Sequence, residues 1–176
     1  MRAAIQKIIS MNNKRNTYIA ILHGITTVYL IALVYILFFW LRANNTELGL
    51  IEYFKTSSNL KIFASIQKYL YCLFNGLAFV AIINLFGNLL LFMPLGALLP
   101  LYFQVIKGKP GKFWQYTVFI VLTLLFVEIT QLITRRGIFD IDDILLNLLG
   151  AIIGLYLAKL RNIRNVYQII AEEADV

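Results

Sequence analysis

Long apolar runs without Asp, Glu, Lys or Arg limit the folds that are open to this chain. The first extends from Tyr18 to Leu41, and the longest extends from Tyr69 to Ile106. Because an α-helix rises about 1.5 Å per residue, about 20 such residues cross the roughly 30 Å hydrocarbon core of a bilayer. A soluble domain of 176 residues could not bury this much apolar surface. The runs therefore predict an integral membrane protein.

The composition supports this class and excludes a nucleic-acid-binding protein. Hydrophobic residues make up 60% of the chain, compared with about 45–50% in typical soluble domains. The net charge is +7, but the basic residues lie between the apolar runs rather than on one soluble face. In those places they set membrane topology and meet anionic lipid headgroups. We therefore expect membrane lipids, and no nucleic acid, as partners.

The apolar runs divide into about four transmembrane helices. The predicted spans cover residues 18–41, 85–104, 113–133 and 143–158. The uncharged run that contains the second span is too long for one crossing and too short for two crossings with a loop. We therefore expect residues 69–82 to form an apolar lead-in or re-entrant segment. The predicted fold is all-α: a compact bundle of about four transmembrane helices with an interfacial or re-entrant segment before the second full span.

A second pattern lies between the first two spans, in residues 60–70. Leu60, Phe63, Ile66 and Leu70 recur at steps of three and four residues, with polar residues between them. This spacing predicts an amphipathic helix. The helix either lies in the headgroup plane or docks on the spans.

The distribution of basic residues predicts the orientation of the chain. Ten of the sixteen lysines and arginines fall in the N-terminal segment, the turn at 107–112 and the C-terminal tail. The positive-inside rule then places both termini in the cytoplasm. The predicted parts are a basic cytoplasmic N-terminus (1–16), a transmembrane domain (17–160) and a cytoplasmic tail (161–176). If residues 69–82 cross the membrane, the C-terminus moves outside.

In this topology, polar side chains from three spans and one loop converge at the outer face. An unpaired carboxylate inside a span costs about 2.5–3.5 kcal/mol on insertion scales, and arginine binds phosphate or carboxylate through paired hydrogen bonds. The candidate ligand-binding residues are Asn84, Asn88, Glu128, Gln131, Arg135, Arg136, Asp140, Asp143 and Asn147.

The catalytic chemistry of this cluster is not specified by the sequence. Glu128, Asp140 and Asp143 are candidate bases, and Asp140, Asp142 and Asp143 are candidate ligands for a divalent cation such as Mg²⁺ or Ca²⁺. No other cofactor is expected.

Each feature also has a structural interpretation. Asp140, Asp142 or Asp143 suits the N-cap of the last helix, the amides suit hydrogen bonds between helices, and Gly150 with Gly154 suits close helix packing.

Three segments resemble the VanZ-like family over roughly residues 70–158. They are N-L-F-G-N-L-L-L-F-M-P-L-G (84–96), E-I-T-Q (128–131) and F-D-I-D-D-I-L-L-N-L-L-G-A-I-I-G (139–154). Asp142 and the two arginines fall outside the matched motif positions. The matched positions are Asn84, Asn88, Pro94, Glu128, Gln131, Asp140, Asp143, Asn147, Gly150 and Gly154.

The resemblance implies a multi-pass protein of the bacterial cell membrane with a role in low-level resistance to the lipoglycopeptide teicoplanin. It leads us to expect binding of a lipid, a lipid-linked cell-wall precursor or the lipoglycopeptide at the outer leaflet. Two alternatives stay open. One is an intramembrane enzyme that modifies a lipid headgroup by carboxylate or metal chemistry, and the other is a purely structural polar cluster.

Overall fold

The computed structural model describes residues 2–40, 49–107 and 109–158. The predicted cytoplasmic tail, 161–176, lies outside this part of the chain. The described residues form six helices and one pair of very short strands. In chain order these are α1 (Arg2–Phe38), α2 (Leu50–Thr56), β1 (Ser58–Asn59), α3 (Ala64–Phe74), α4 (Ala78–Lys107), α5 (Phe113–Ile133), β2 (Phe139–Asp140) and α6 (Ile141–Leu157).

Among the described residues, three helices are long and apolar enough to cross a membrane: Asn16–Phe38 within α1, α4 and α5. The fourth predicted span corresponds to α6, whose 17 residues give a length of about 26 Å. The all-α membrane fold is therefore confirmed. Residues 2–38 form one continuous helix, so the basic N-terminal residues extend the helix of the first span.

The predicted division of the long uncharged run is wrong. The chain breaks at residues 75–77, not at 82–85, since α3 ends at Phe74 and Gly76 adopts a left-handed φ of 87°. From residue 78 onward α4 continues for 30 residues, through Asn84 and Pro94. The predicted amphipathic helix is also shifted: it begins at Ala64 rather than at residue 60, because residues 58–59 pair as a strand.

A seam of small residues joins α4 to α6. A Cβ placed on Gly150 would overlap the carbonyl oxygen of Leu89, and one placed on Gly154 would overlap that of Met93. Both helices advance by four residues in the same direction between these contacts, so they pack in parallel. The close-packing interpretation of the two glycines is confirmed, since a larger residue at either position would push the helices apart.

The core lies between α4, α5 and α6, and α1 contributes one edge to it. Phe92, Ile120 and Ala151 are fully buried there, together with Leu33 and Leu37 from α1. Most other apolar side chains between residues 16 and 38 of α1 are exposed. An apolar exposed surface on a long helix is the pattern expected where lipid covers the protein.

Candidate functional site

The polar residues assemble at one end of the bundle, where α1 and α5 end and α4 and α6 begin. We call this the polar end. Gln131 Nε2 on α5 donates to the carbonyl oxygen of Leu37 on α1, at 2.9 Å. Asn88 Nδ2 on α4 donates to Asp143 Oδ1 on α6, at 2.6 Å. All four long helices therefore bring polar groups to the same end, as the topology argument requires. Their role in ligand binding stays a prediction.

Residues 53–66 form a strap across the loop that precedes α6. The Tyr53 hydroxyl donates to the carbonyl oxygen of Gly137 at 2.9 Å. The N–H of Phe139 donates to the carbonyl oxygen of Ser57, also at 2.9 Å. β1 then pairs in parallel with β2, with Asn59 opposite Asp140. These contacts join segments about 80 residues apart in the sequence.

Asp142 fastens the strap by capping α3 from a different helix. Its Oδ1 accepts from the N–H of Phe63 at 2.7 Å, and its Oδ2 accepts from those of Ser65 at 2.8 Å and Ile66 at 3.2 Å. The first N–H groups of a helix have no partner within the helix and carry partial positive charge. Phe63, which precedes α3, adopts a left-handed φ of 67°. A fully buried carboxylate thus satisfies the start of α3.

Asp140 caps α6 and also binds the strap. Its carboxylate accepts from the N–H of Asp142 at 2.9 Å, which confirms the predicted N-cap of the last helix. Its Oδ2 accepts a short hydrogen bond from the Ser65 hydroxyl. Asn59 Nδ2 adds a longer contact at 3.3 Å. Asp140 therefore holds three parts of the chain together.

The three aspartates considered as cation ligands already have hydrogen-bond partners within the chain. The oxygens of Asp142 and Asp140 already accept hydrogen bonds from the chain, and Asp143 is bound to Asn88 on α4. No group of three or more His, Cys, Asp or Glu in the described ranges is placed to hold a metal ion. Binding of a divalent cation by Asp140, Asp142 and Asp143 stays a prediction.

The deepest part of the site is formed by Glu128, Gln131 and Asn147, all buried. The N–H of Asp140 donates to Glu128 Oε2 at 3.5 Å, a long hydrogen bond. Within the described part of the chain, Asn147 Oδ1 is a buried acceptor with no hydrogen-bond donor. Unsatisfied buried acceptors are uncommon because each carries a desolvation cost.

The two arginines lie at the end of α5. Arg135 adopts a left-handed φ of 54°, and the N–H of Arg136 donates to the carbonyl oxygen of Gln131 at 2.9 Å. Arg136 Nη1 donates to the carbonyl oxygen of Phe38 at 3.1 Å, and its guanidinium lies 5.0 Å from the centre of the Phe39 ring. Arg136 thus ties α5 to the end of α1, in addition to any role toward a ligand.

Asn84 stands one turn before Asn88 on α4, nearer to the start of the helix. Its Nδ2 donates to the carbonyl oxygen of Val80 in the same helix, at 2.8 Å. Asn84, Asn88 and Asp143 are only half-buried. They form the outward edge of the site, whereas Glu128, Asp140 and Asp142 form its closed centre.

Sequence reasoning missed the contributions of the strap. Tyr53, Asn59 and Ser65 were not among the candidates, and Asp142 was considered as a metal ligand and as a cap of the last helix, but not as a cap of α3. Because their partners lie 75 to 84 residues away, a single sequence does not reveal the pairing.

The fold and the site define a helical multi-pass membrane protein with a strapped polar network at one end of its spans. The VanZ/LLP1 family matches residues 26–162, so the chain belongs to that family. It is 30% identical over 139 residues to Protein VanZ of Enterococcus faecium, which covers 79% of this chain and 74% of the relative. No solved structure matches the chain.

Proposed function

We propose that this protein acts at the outer leaflet of a bacterial cell membrane, where it binds a lipid or lipid-linked cell-wall precursor and contributes to low-level teicoplanin resistance. The observation that carries the proposal is the concentration of buried polar side chains at one end of otherwise apolar helices. Polar and ionisable residues inside spans are costly, and they usually mark functional sites. Membership of the VanZ/LLP1 family supports the link to resistance.

The surroundings of the site suit contact with lipid headgroups. α3 contains no buried residue, and it exposes both Lys68 and large apolar side chains such as Tyr71 and Phe74. Helices that combine exposed apolar and basic side chains lie at the boundary of headgroups and acyl chains. α3 and the strap would therefore occupy the headgroup region, directly above the polar network.

The charge at the opposite end supports an outward-facing site. The connection between α4 and α5 carries Lys107, Lys109 and Lys112, all exposed. By the positive-inside rule, such a short basic connection stays in the cytoplasm. The polar end then faces outward. A precursor held there would be less available to a drug that acts outside the cell, because binding to one partner lowers the free concentration that is left for another.

The test is teicoplanin sensitivity of a strain that lacks the gene, complemented with the wild-type chain or with variants. We expect Glu128→Gln and Asp143→Asn to lower the inhibitory concentration toward that of the deletion strain, at unchanged protein level in the membrane. Glu52→Gln is the matched control, because Glu52 is an exposed carboxylate in α2. Equal sensitivity of the deletion and complemented strains contradicts the proposal. Loss of protein level together with sensitivity supports a purely structural role instead.

A further inference from the structure

The carboxylates at the centre of the site are closed to the aqueous side. Glu128, Asp140 and Asp142 are 3%, 6% and 0% exposed, respectively. The strap lies across the loop before α6 and is fastened by the contacts of Asp140 and Asp142 described above. A headgroup that approaches from water therefore meets the strap before it reaches any of these carboxylates.

The site is more open toward the side of the bundle. Asn84 and Asn88 lie one turn apart on one face of α4, and both are half-buried. Gly87 between them is exposed, and nothing lies within 4 Å of the position that a Cβ would occupy there. Phe86 and Leu90, on the neighbouring face, are exposed. We call Asn84, Gly87 and Asn88 the amide edge.

The amide edge lies near the start of α4. Asn84 and Asn88 are six and ten residues into α4, about 9 and 15 Å along its axis. α3 packs against α4, and the turn between them contains Gly76. Lys68 lies eight residues before this glycine and Asn84 eight residues after it. α3, which carries the exposed Lys68, therefore lies against α4.

We propose that the amide edge binds the phosphate headgroup of a membrane lipid that enters sideways from the bilayer. This inference rests on the proposed function and names the route and the chemical class of its ligand. An asparagine amide carries two N–H donors and a carbonyl acceptor. One donor of each amide is used in the bonds to Val80 and Asp143. The second donors suit phosphate oxygens, and the carbonyls suit headgroup hydroxyls.

Asp143 acts in this scheme as a positioning residue. Its bond to Asn88 Nδ2, at 2.6 Å, limits rotation of the amide and leaves the second N–H and the carbonyl oxygen for a ligand. Exchanging the two side chains in Asn88→Asp/Asp143→Asn can restore the bond between the helices. The exchange places a carboxylate where the phosphate would bind, and like charges repel. The exchanged variant should therefore keep the contact between α4 and α6 but lose affinity for the phosphate.

The experiment is native mass spectrometry of the detergent-purified full chain, titrated with phosphatidylglycerol. We expect Asn84→Ala to weaken binding about tenfold, which corresponds to one hydrogen bond to a charged group. The exchanged pair should unfold at the wild-type temperature but also bind at least about tenfold more weakly. Thr123→Val is the matched control, because the Thr123 hydroxyl bonds within its own helix, as Asn84 does, but on α5.

Three outcomes would overturn the inference. They are unchanged phosphatidylglycerol affinity in Asn84→Ala, equal affinity of the wild type for diacylglycerol, which lacks the phosphate, and displacement of the lipid by inorganic phosphate alone. The last two would indicate unselective lipid contact and a site for free phosphate, respectively. If the exchanged pair fails to fold, the affinity of Asn84→Ala still decides whether the amide edge binds the lipid. If the protein binds the lipid but has no effect on teicoplanin sensitivity, the proposed function is wrong and the lipid site at the amide edge is still supported.

Discussion

Replacing Asp142 by asparagine tests whether one buried carboxylate holds the strap in place. The carboxylate accepts three backbone N–H groups from the start of α3. Asparagine keeps one acceptor oxygen and turns an NH₂ group toward the remaining donors. At least one N–H is then left unsatisfied, at about 1–3 kcal/mol, and the retained bonds lose their charge assistance, at about 1 kcal/mol. We expect the free energy of strap docking to become less favourable by about 3 kcal/mol.

The assay is hydrogen exchange of the α3 amides in lipid nanodiscs, followed by mass spectrometry. A cost of about 3 kcal/mol raises the population of the undocked strap roughly a hundredfold, so protection of the Ser65 and Ile66 amides should fall by about that factor. Protection in α5 should not change, because the carboxylate does not contact that helix through these bonds. Glu52→Gln serves as the control. Unchanged protection of Ser65 and Ile66 in Asp142→Asn would show that this carboxylate does not hold the strap in place.

Two further predictions concern packing and the strap. Gly150→Ala should lower the thermal unfolding temperature, at a cost of about 1–3 kcal/mol, because its Cβ would overlap a backbone oxygen of α4. Gly87→Ala is the control and should cause a much smaller change, because its Cβ meets open space. Equal effects of the two substitutions would contradict the close packing of α4 and α6. Tyr53→Phe should cost about 0.5–1.5 kcal/mol through the lost bond to Gly137. Hydrogen exchange of the strap amides measures this loss of stability. Unchanged exchange would show that the bond does not contribute to strap docking.

The structural contribution of the polar network is substantial and does not compete with a binding role. Gln131 ties α5 to α1, and Asp142 ties α6 to α3. Substitutions at these positions are expected to disturb the fold as well as any bound ligand. The amide of Asn84 bonds only to its own helix among the contacts described, so this position separates binding from folding better than the buried carboxylates do.

Features that depend on local pattern could be predicted from the sequence. The charge-free runs fixed the membrane class, and their lengths placed the spans close to α1, α4, α5 and α6. Asp140 before an apolar helix correctly predicted an N-cap, since capping needs only the next few residues. The spacing of Gly150 and Gly154 correctly predicted a close helix contact, because four residues bring both to one face.

Features that depend on distant partners could not be predicted in this way. Gly76 breaks the chain and Gly87 does not, although both are glycines beside an asparagine in an apolar run. The bonds within α4 and its packing on α6 decide that difference. The buried role of Asp142 similarly depends on N–H groups 76 to 79 residues earlier in the chain.

The side of the membrane that the polar end faces is tested most directly by cysteine labelling in protoplasts. In a Cys72→Ser background, Glu52→Cys places a thiol at an exposed position of α2, and Lys109→Cys places one in the exposed connection between α4 and α5. We expect a membrane-impermeant maleimide to label the first thiol in intact protoplasts and the second only after lysis. Labelling of Lys109→Cys, and not of Glu52→Cys, before lysis would contradict an outward-facing lipid site.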